Sequence, residues 1–372
     1  MTSKCSKQKL LPKFFPIIQA NVGLKYKRRG ETMIYPEFLK KGDTIGVTAT
    51  SSGMDDEIDK MTLENAQKNL EKIGYKVIET PNVRMWQKLV SSSGEERAKE
   101  FYELWCNDEV KHIIASSGGE FLMEILPWLD KYRLNEKKAK WVQGFSDTSL
   151  LLFYLTTKYN IATVHSTNYG GYGKKEIHEV YLKTLEMISR MEDKVQESYE
   201  MYESNPINWQ RGKEFEMPIL DTKVEYRNLY GNDSIQMQGR LIGGCIDVLK
   251  TLIGTPYDNT KQFCSQFEEG MLWYLENCEM NVCDLYRALW QMREAGWFNN
   301  VKGFLLGRTR SKEEVHGFTY EDVLHSALDD LNVPVIYDID VGHTQLQWTM
   351  INGSKVEFEY DSGRGKLKTK FE

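Results

Sequence analysis

Apolar and polar residues alternate along the chain in blocks that predict strands and helices in turn. Short apolar runs of strand length are separated by longer stretches whose apolar residues recur at helical spacing. Before residue 170 the predicted strands are 43–49, 75–78, 111–115, 141–144 and 161–165, and the predicted helices are 58–73, 94–105, 121–129 and 149–155. This alternation predicts a parallel, doubly wound α/β sheet with helices on both faces.

The pattern weakens over residues 193–233 and becomes regular again from Gln238. A long stretch without clear periodicity is usually a functional loop or a linker. The later pattern predicts strands at 270–276, 303–307 and 335–337, helices at 283–295 and 320–331, and a closing antiparallel pair, 348–351 with 355–360, around the turn Asn352-Gly353. We therefore predict three parts after the tail: an N-terminal α/β domain over 33–168, a crossover and substrate-side loop over 169–237, and a C-terminal domain over 238–372.

Residues 1–32 mix basic residues with broken apolar pieces that do not fit a secretory signal. Residues 28–32, immediately before Met33, can be encoded by a purine-rich stretch of the kind found at a bacterial ribosome-binding site. We therefore expect Met33 to be the natural start and residues 1–32 to be translated upstream sequence. An ordinary N-terminal tail is the alternative, and mass spectrometry of the native protein distinguishes the two.

The composition excludes several classes of function. The 372 residues carry a net charge of −6 with a pI near 5.7, whereas a nucleic-acid partner would need a basic face. No apolar run approaches the roughly 18 residues of a membrane span. The six cysteines are scattered without a CxxC pair or a zinc-ligand set. We therefore expect a cytoplasmic protein with reduced thiols, no nucleic-acid or membrane partner, no metal and, without a GxGxxG motif after the first strand, no nucleotide cofactor.

The stretch 141–148 has the layout of a nucleophile elbow. An apolar run ends at Gly144, Ser146 follows two residues later, and a strongly apolar helical pattern begins at once. A tight strand-to-helix turn of this kind exposes a hydroxyl at the carboxyl end of a strand, beside free N–H groups of a helix. The alternative is an ordinary N-cap, in which Ser146 or Asp147 caps a buried helix.

A serine nucleophile needs a base, itself oriented by a third group. Their positions in the predicted fold favour two histidines as this base: His165, at the end of a strand, and His343, in a loop between strands. The remaining histidines lie in apolar-strand, polar or helical settings that favour structural roles: His112, His178, His316 and His325. Glu276 ends an apolar strand, where burial of a carboxylate is costly without a partner. The alternatives are that Glu276 faces solvent and that His343 is a turn residue whose side chain is hydrogen-bonded to the backbone.

The loop 116–119 follows another predicted strand, so we expect it at the same sheet edge as the elbow and the loop 50–53. Gly118-Gly119 can be a plain turn, or it can bring a backbone N–H group to a substrate carbonyl, as an oxyanion hole requires. In the second case the N–H groups of Gly119 and Asp147 are the two donors, and Gly118 lies against the substrate.

The set of motifs resembles the serine peptidase family of the LD-carboxypeptidases, which also contains the microcin C immunity proteins. The matching pieces are 39–47, 117–119 with the helix to 130, 144–147, 239–244, 275–276, 303–307 and 342–343. The resemblance implies that Ser146 is the nucleophile and that Glu276 and His343 complete a Ser–Glu–His triad. It also implies an N-terminal Rossmann-like (flavodoxin-like) domain, a C-terminal mostly β, distorted barrel-like domain with helices, and a homodimer.

The sequence departs from this family at three places. The chain has Gly243-Gly244-Cys245 where Gly-Gly-Asn is common and Asn277 where Asp is usual, and the loop after His343 lacks the common proline-rich continuation. These changes affect the substrate side more than the triad. The long segment 170–238 resembles the microcin-immunity branch, in which an aromatic residue packs on the nucleotide part of the substrate; Trp209 is the candidate here, with packing on the domain surface as its alternative.

These observations predict a metal-independent serine peptidase or amidase that acts on a small peptide conjugate. The scissile bond is either the L,D amide of a murein tetrapeptide or the amide between an aminoacyl group and a nucleotide analogue. The alternative from another class is a binding protein on the same scaffold that sequesters a peptide or nucleotide conjugate without hydrolysing it. The sequence alone does not choose between the two substrates.

Overall fold

The computed structural model describes residues 32–205, 213 and 215–372. The tail up to residue 31 and the candidate Trp209 lie outside the described residues. Residues Met33–Glu372 form one compact unit. The division of this unit into the ranges 33–168, 169–237 and 238–372 stays a prediction.

Strands and helices alternate through both halves of this unit. The strands are β1 Thr44–Thr48, β2 Lys76–Glu79, β3 Val110–Ala115, β4 Trp141–Gly144, β5 Thr163–His165, β6 Lys194–Glu197, β7 Met201–Tyr202, β8 Thr222–Lys223, β9 Arg227–Asn228, β10 Ser234–Cys245, β11 Met271–Glu276, β12 Val301–Gly307, β13 Val335–Ile339, β14 Met350–Asn352, β15 Lys355–Asp361 and β16 Arg364–Lys370. The helices are α1 Glu57–Lys72, α2 Gly94–Cys106, α3 Leu126–Leu129, α4 Ser149–Tyr159, α5 Glu179–Met187, α6 Ile246–Leu249, α7 Thr260–Cys264, α8 Val282–Glu294 and α9 Tyr320–Leu328. None of these helices in the described ranges is both long and apolar enough to span a bilayer.

The first sheet has six strands in the order β14-β5-β4-β3-β1-β2. Strands β1 to β5 are parallel, and β14 adds an antiparallel edge. The order of the parallel strands is that of flavodoxin-like folds, with the chain reversing direction between β1 and β3. Helices cover both faces, so β1, β3, β4 and β5 are buried almost throughout, whereas the edge strand β2 alternates exposed and half-buried residues. The loops after β1 and β3 meet at the reversal point, where ligands bind in such sheets.

The second sheet has eight strands in the order β6-β16-β15-β10-β11-β12-β13-β9. Its centre, β10 to β13, is parallel, whereas β15, β16, β6 and β9 pair antiparallel. Within the described residues β6 and β9 are free edges that do not pair with each other. The sheet is therefore open, and the barrel-like closure implied by the resemblance is not present.

The predicted closing hairpin at the end of the chain is wrong. Strand β14 pairs with β5 of the first sheet, whereas β15 pairs with β10 and β16 of the second. Gly353 (φ +85°) is the point at which the chain passes between the sheets. The hairpin is instead β15–β16, whose turn residues Ser362 and Gly363 both have positive φ, as tight hairpin turns prefer.

The weakly patterned segment 193–233 supplies both edges of the second sheet, β6 and β9. Edge strands are short and half-exposed, so they need little apolar periodicity. This explains why the sequence pattern did not reveal them.

Helix α4 packs between the two sheets. Nine of its residues, 149–157, are buried. Its Phe153 stacks on Trp297 of the second half at a centroid distance of 5.2 Å. Full burial of a Leu or Phe side chain stabilises the fold by about 1.5–3 kcal/mol, so this helix fixes the elbow that precedes it against the second sheet.

Candidate active site

The turn after β4 is a strand-to-helix elbow with Ser146 at its apex. Ser146 has φ +59°, a conformation uncommon for non-glycine residues and frequent at functional sites. At Gly144 an added Cβ would lie 2.5 Å from Thr148 Cγ2 and 2.7 Å from Asn168 Oδ1, so only glycine fits. A 3-10 turn, Ser146–Thr148, leads into α4, and no side chain caps either helix. The N-cap interpretation is therefore wrong, and the half-buried Ser146 is left for another role.

The loop after β3 lies directly on this elbow. A Cβ at Gly118 would be 3.1 Å from Ser146 Cβ and 3.2 Å from its Oγ. Gly119 has φ +148°, and a Cβ there would overlap the hydroxyls of Ser51 and Ser52. The loops after β1, β3 and β4 thus meet at one edge, as the order of strands predicts. Gly118 and Gly119 are glycines because the backbone passes too close to these serines for a side chain.

Asp147 joins two of these loops. Its side chain is buried, and its Oδ2 accepts hydrogen bonds from Ser51 Oγ (2.5 Å) and from the N–H of Leu122 (2.9 Å). Burial raises the pKa of the Asp147 carboxyl, although these hydrogen bonds and the Arg97 charge act in the opposite direction. The carboxylate therefore stabilises the loop arrangement around Ser146 and does not cap α4.

Glu276 and His343 form a hydrogen-bonded pair at the carboxyl ends of the second sheet. Glu276 ends β11 and is fully buried, and its Oε2 lies 2.8 Å from His343 Nδ1. The loop approaches this closely because Gly342 has φ +113° and no side chain; a Cβ there would be 3.1 Å from Glu276 Cβ. Both alternatives, a solvent-facing Glu276 and a backbone-bonded His343, are excluded by this geometry.

The pair shifts the pKa of each partner toward its charged form. Burial disfavours the imidazolium, but the Glu276 carboxylate and the nearby Cys278 side chain outweigh it and raise the pKa of His343 above its ordinary value. Burial likewise opposes ionisation of Glu276, yet the His343 charge and hydrogen bond hold its pKa low. The arrangement can therefore fix one imidazole tautomer and stabilise a proton on the ring.

Phe145 connects the pair to the elbow. Its ring lies between two histidines, with centroid distances of 5.1 Å to His343 and 6.4 Å to His165. The structure thus brings the residue before Ser146 into contact with the ring of His343. In the described residues no hydrogen bond joins Ser146 Oγ to that ring; catalytic hydrogen bonds often tighten only when substrate is bound.

The other candidate base, His165, lies in a different environment. It ends β5 inside the protein, and neither ring nitrogen has a hydrogen-bond partner among the described residues. Burial lowers the pKa of His165 to about 4. The four remaining histidines have structural settings, as predicted: His112 is buried in β3, His178 caps α5, His316 is in a turn at φ +53°, and His325 pairs with Asp329 on α9.

A cavity of about 370 Å³ opens beside the elbow. Asp147 and Leu150 line it from the elbow side, and Asp247, Lys250 and Glu279 line it from the second half. The Asp247 carboxylate also holds the loop after Glu276, since it accepts the backbone N–H groups of residues 278, 279 and 280 at 2.9–3.2 Å. No cluster of three or more potential metal ligands occurs in the described ranges.

Sequence reasoning missed several residues of this site. Asn168, just after β5, accepts the Phe145 N–H (3.2 Å) and so fixes the elbow. Its position after a parallel strand was a usable signal. Ser51 and Cys278 carried a similar signal. Ser51 lies in the loop after β1, and Cys278 lies two positions after Glu276 in the sequence. Trp209, predicted to contact substrate, lies outside the described residues.

The sequence matches two family models. Residues 45–166 match the LD-carboxypeptidase N-terminal domain, and residues 238–358 match the LD-carboxypeptidase C-terminal domain. The two matches cover more than half of the chain and define a protein of a peptidase family. The chain belongs to the LD-carboxypeptidase family.

Individual relatives agree with this assignment. The microcin C7 self-immunity protein MccF of Escherichia coli is 24% identical over 344 residues, which cover 87% of this chain and 92% of the relative. A probable murein peptide carboxypeptidase of Bacillus subtilis is 22% identical over 315 residues, covering 83% of this chain and 86% of that protein. A solved structure of MccF in complex with aspartyl sulfamoyl adenosine superposes with a TM-score of 0.77 at 21% identity, over 91% of this chain and 99% of that one. The last likeness establishes the fold.

Proposed function

We propose that this protein is a serine peptidase or amidase that uses Ser146, His343 and Glu276 to hydrolyse an amide bond in a small peptide conjugate. The observation that carries the proposal is the buried Glu276–His343 hydrogen bond of 2.8 Å, next to a serine held in an elbow at φ +59°. A structural serine would have no need of this strained turn or of a charged pair beside it. Family membership agrees with the reaction class.

In this proposal His343 acts as base and then as acid. Its Nδ1–H donates to Glu276, which leaves Nε2 free to take the proton of Ser146 as Oγ attacks the carbonyl carbon. The imidazolium then gives this proton to the leaving amine, and the C–N bond breaks to leave an ester on Ser146. Water repeats the same two steps to release the acid. Glu276 stays ionised and stabilises the imidazolium throughout.

The N–H groups of Gly119 and Asp147 are the proposed oxyanion donors. Neither N–H group has a hydrogen-bond acceptor among the described residues. The loop lies close to the serine, since a Cβ added to Gly118 would be 3.2 Å from Ser146 Oγ. Donors fixed before reaction cost no reorganisation as charge develops on the carbonyl oxygen. Gly118, with no side chain, leaves room for substrate beside the serine.

Two substrate classes are candidates. The murein tetrapeptide with its L,D bond is suggested by the carboxypeptidase relatives, and an aminoacyl-nucleotide conjugate is suggested by MccF and its bound aspartyl sulfamoyl adenosine. We further propose that the protein works in the cytoplasm as a homodimer, which analytical ultracentrifugation can test. The described cysteines, 106, 245, 264, 278 and 283, are free thiols, as a reducing compartment requires.

The decisive experiment follows both substrates by mass spectrometry with wild-type protein and the variant Ser146→Ala. We expect hydrolysis of one substrate by the wild type and a loss of at least about 10⁴-fold in the variant. Ser149→Ala is the matched control, because this serine is three residues further on, buried, and without a hydrogen-bond partner for its Oγ in the described structure. Its activity should stay close to that of the wild type.

Equal activity of Ser146→Ala and wild type would contradict the triad. If wild-type protein binds a substrate but leaves its mass unchanged over hours, the protein is a binding protein on a peptidase scaffold. Hydrolysis of both candidates would show that the cleft recognises the bond and not the rest of the conjugate.

A further inference from the structure

A half-exposed thiol lies beside the Glu276–His343 pair. Cys278 follows Glu276 by two positions, just after the end of β11, and its side chain is a hydrogen-bonding neighbour of the His343 ring. His343 in turn bonds to Glu276 through Nδ1 at 2.8 Å. A cysteine, a histidine and a carboxylate therefore form a continuous chain of contacts, which is the arrangement that activates a sulfur nucleophile.

We propose that Cys278 is a modification site. Its thiolate, stabilised by His343, reacts with hydrogen peroxide and with other small neutral electrophiles, and the modified sulfur prevents His343 from taking the Ser146 proton. The reactivity of the thiol depends on its contact with the Glu276–His343 pair, whereas the effect on hydrolysis rests on the proposed function.

The backbone around Cys278 is held in place, which keeps the thiol beside the histidine. Its N–H donates to Asp247 Oδ2 at 2.9 Å, and its carbonyl oxygen accepts from Ser311 Oγ at 3.2 Å. Asp247 also accepts the N–H groups of the next two residues. The charge of Asp247 is thus directed at backbone donors and that of Glu276 at the imidazole, so both oppose a thiolate less strongly than unpaired carboxylates would.

The charge of the His343 ring decides the charge of the sulfur. Burial opposes a proton on this ring, but Glu276 and Cys278 outweigh it and raise the pKa of His343. The ring therefore holds a proton in the resting protein. An imidazolium beside a thiol favours the thiolate, which is the form of cysteine that reacts. An ordinary cysteine is thiolate to the extent of roughly a few per cent at pH 7.

A second cysteine beside Glu276 lacks this arrangement. Cys245 ends β10 opposite Glu276 in the parallel register, and its Sγ lies 3.5 Å from Asp247 Oδ2. It is 2% exposed, and burial together with the charges of Glu276 and Asp247 raises the pKa of its thiol well above the ordinary value. Cys245 therefore stays protonated, and of these two thiols Cys278 is the one that faces a cation.

With hydrogen peroxide the reaction is a two-electron oxidation of the sulfur. The thiolate attacks one peroxide oxygen, the S–O bond forms as the O–O bond breaks, and the released hydroxide takes a proton to become water. The product is a sulfenic acid beside His343. A small thiol reverses the change: it attacks the sulfenic sulfur, releases water and forms a mixed disulfide. A second small thiol then frees Cys278, and the two small thiols leave as a disulfide.

The first experiment measures the alkylation rate of each cysteine by iodoacetamide at pH 7 in the full-length protein, by peptide mass spectrometry. Cys106 and Cys283 are the matched controls, because they are also half-exposed free thiols. Cys106 is the last residue of α2, where the helix dipole disfavours a thiolate, and Cys283 is the second residue of α8, where the dipole favours one. We expect Cys278 to react at least about tenfold faster than either control.

Two variants test whether the histidine pair is the cause. His343→Gln should slow the alkylation of Cys278 at least about fivefold, and Glu276→Gln should slow it less, because the imidazolium loses only its partner. His165→Gln is the control for a histidine near the elbow and should leave the rate within about twofold, since its ring packs on Phe145 and Tyr274. Equal rates at the three half-exposed thiols, or an unchanged rate in both His343→Gln and Glu276→Gln, would overturn the proposal.

The second experiment treats the wild type with hydrogen peroxide and follows both the dimedone-labelled sulfenic acid at Cys278 and hydrolysis of the substrate found for the wild type. Activity should fall in step with the labelled fraction and return with dithiothreitol. Cys278→Ser should stay within about twofold of its own untreated activity. Full activity of the labelled wild type, or equal peroxide sensitivity of Cys278→Ser, would overturn the inactivation. If the wild type hydrolyses neither substrate but Cys278 keeps its rapid, His343-dependent alkylation, the proposed hydrolysis fails and the modification site stands.

Discussion

Two histidines flank the ring of Phe145, and their surroundings have opposite effects on their charge. His165 belongs to the first sheet, is fully buried, and has no hydrogen-bond partner for either ring nitrogen among the described residues. Burial lowers its pKa to about 4. His343 belongs to the second half and is also largely buried, but the Glu276 carboxylate at 2.8 Å raises its pKa above the ordinary value.

Position at a strand end does not by itself make a histidine a catalytic base. Both histidines follow strands and lie near the elbow, so they looked equally suitable in the sequence. The difference is direct contact: the Glu276 carboxylate accepts the Nδ1–H of His343 and stabilises its imidazolium, whereas on His165 the Glu276 charge acts without a hydrogen bond and is outweighed by burial.

The largest effect is expected when each of the two histidines is replaced with glutamine. His343→Gln removes the proposed base and should lower kcat/KM by about 10⁴-fold or more. His165→Gln should change kcat/KM by less than about threefold, because its ring bonds to no other group. Steady-state kinetics on the substrate found for the wild type measure both. Comparable losses in the two variants would remove the distinction between the two regions.

A second test removes the carboxylate from the His343 region. Glu276→Gln should lower kcat/KM by about 10²- to 10⁴-fold. His343 must be neutral to act as a base, so the kcat/KM of the wild type should rise with pH. The midpoint of this limb of the pH profile should lie above 6.5, the ordinary pKa of histidine. Without the carboxylate, burial is opposed only by the smaller contribution of Cys278, so the pKa of His343 falls and the limb should move to lower pH. A limb that stays in place in the pH profile of Glu276→Gln would contradict the assigned role.

A third test uses stability in place of activity. His165 must stay neutral in the folded protein but is protonated below about pH 6.5 when unfolded. The unfolded state therefore binds more protons as the pH falls, and at pH 5 this costs roughly 2 kcal/mol of the free energy of unfolding. His165→Gln should reduce the loss of stability between pH 7 and pH 5 by about that amount, as measured by urea unfolding.

For His343 the stability changes with pH in the opposite direction. Its raised pKa contributes stability that is present below pH 6.5 and is lost as the pH rises through the folded value. The loss of stability caused by His343→Gln should therefore be larger at pH 6 than at high pH. The same urea experiments measure this, and an equal difference at all pH values would argue against the charged pair.

The smallest expected effect is that of Cys278→Ser. The Cys278 side chain adds to the rise in the pKa of His343, but less than the charge of Glu276 does. With a hydroxyl in its place this contribution is smaller, so the limb of the pH profile should move slightly to lower pH with kcat/KM within about threefold of wild type. A larger loss would give Cys278 a more direct part in the reaction.

Much of the fold followed from local pattern. The order of strands and helices between residues 43 and 165 was predicted within a few residues, because β1, β3, β4 and β5 are buried almost throughout and α1 and α2 each have an apolar stripe. The elbow at Ser146 was also readable, since a glycine, a serine and an apolar helix follow one another directly. Membership of the family was inferred from the spacing of these motifs and is confirmed by the matches to both domains.

Other features depended on residues far apart in the chain. The final strands were paired wrongly, because nothing local indicates that β14 joins the first sheet and β15 the second. The edges β6 and β9 lacked a pattern for a related reason, since an edge strand is specified mostly by the neighbour that it joins.

Local sequence pattern thus indicated where a serine lies just beyond the end of a strand and which histidines and carboxylates end other strands. The fold was needed to show that Glu276 is hydrogen-bonded to His343 and not to His165, and that the carboxylates of residues 120, 147 and 279 line one cavity. Both contacts depend on short-range interactions. Hydrogen bonding and charge act over a few ångströms, and the packing of α4 between the two sheets sets which distant side chains come within that range.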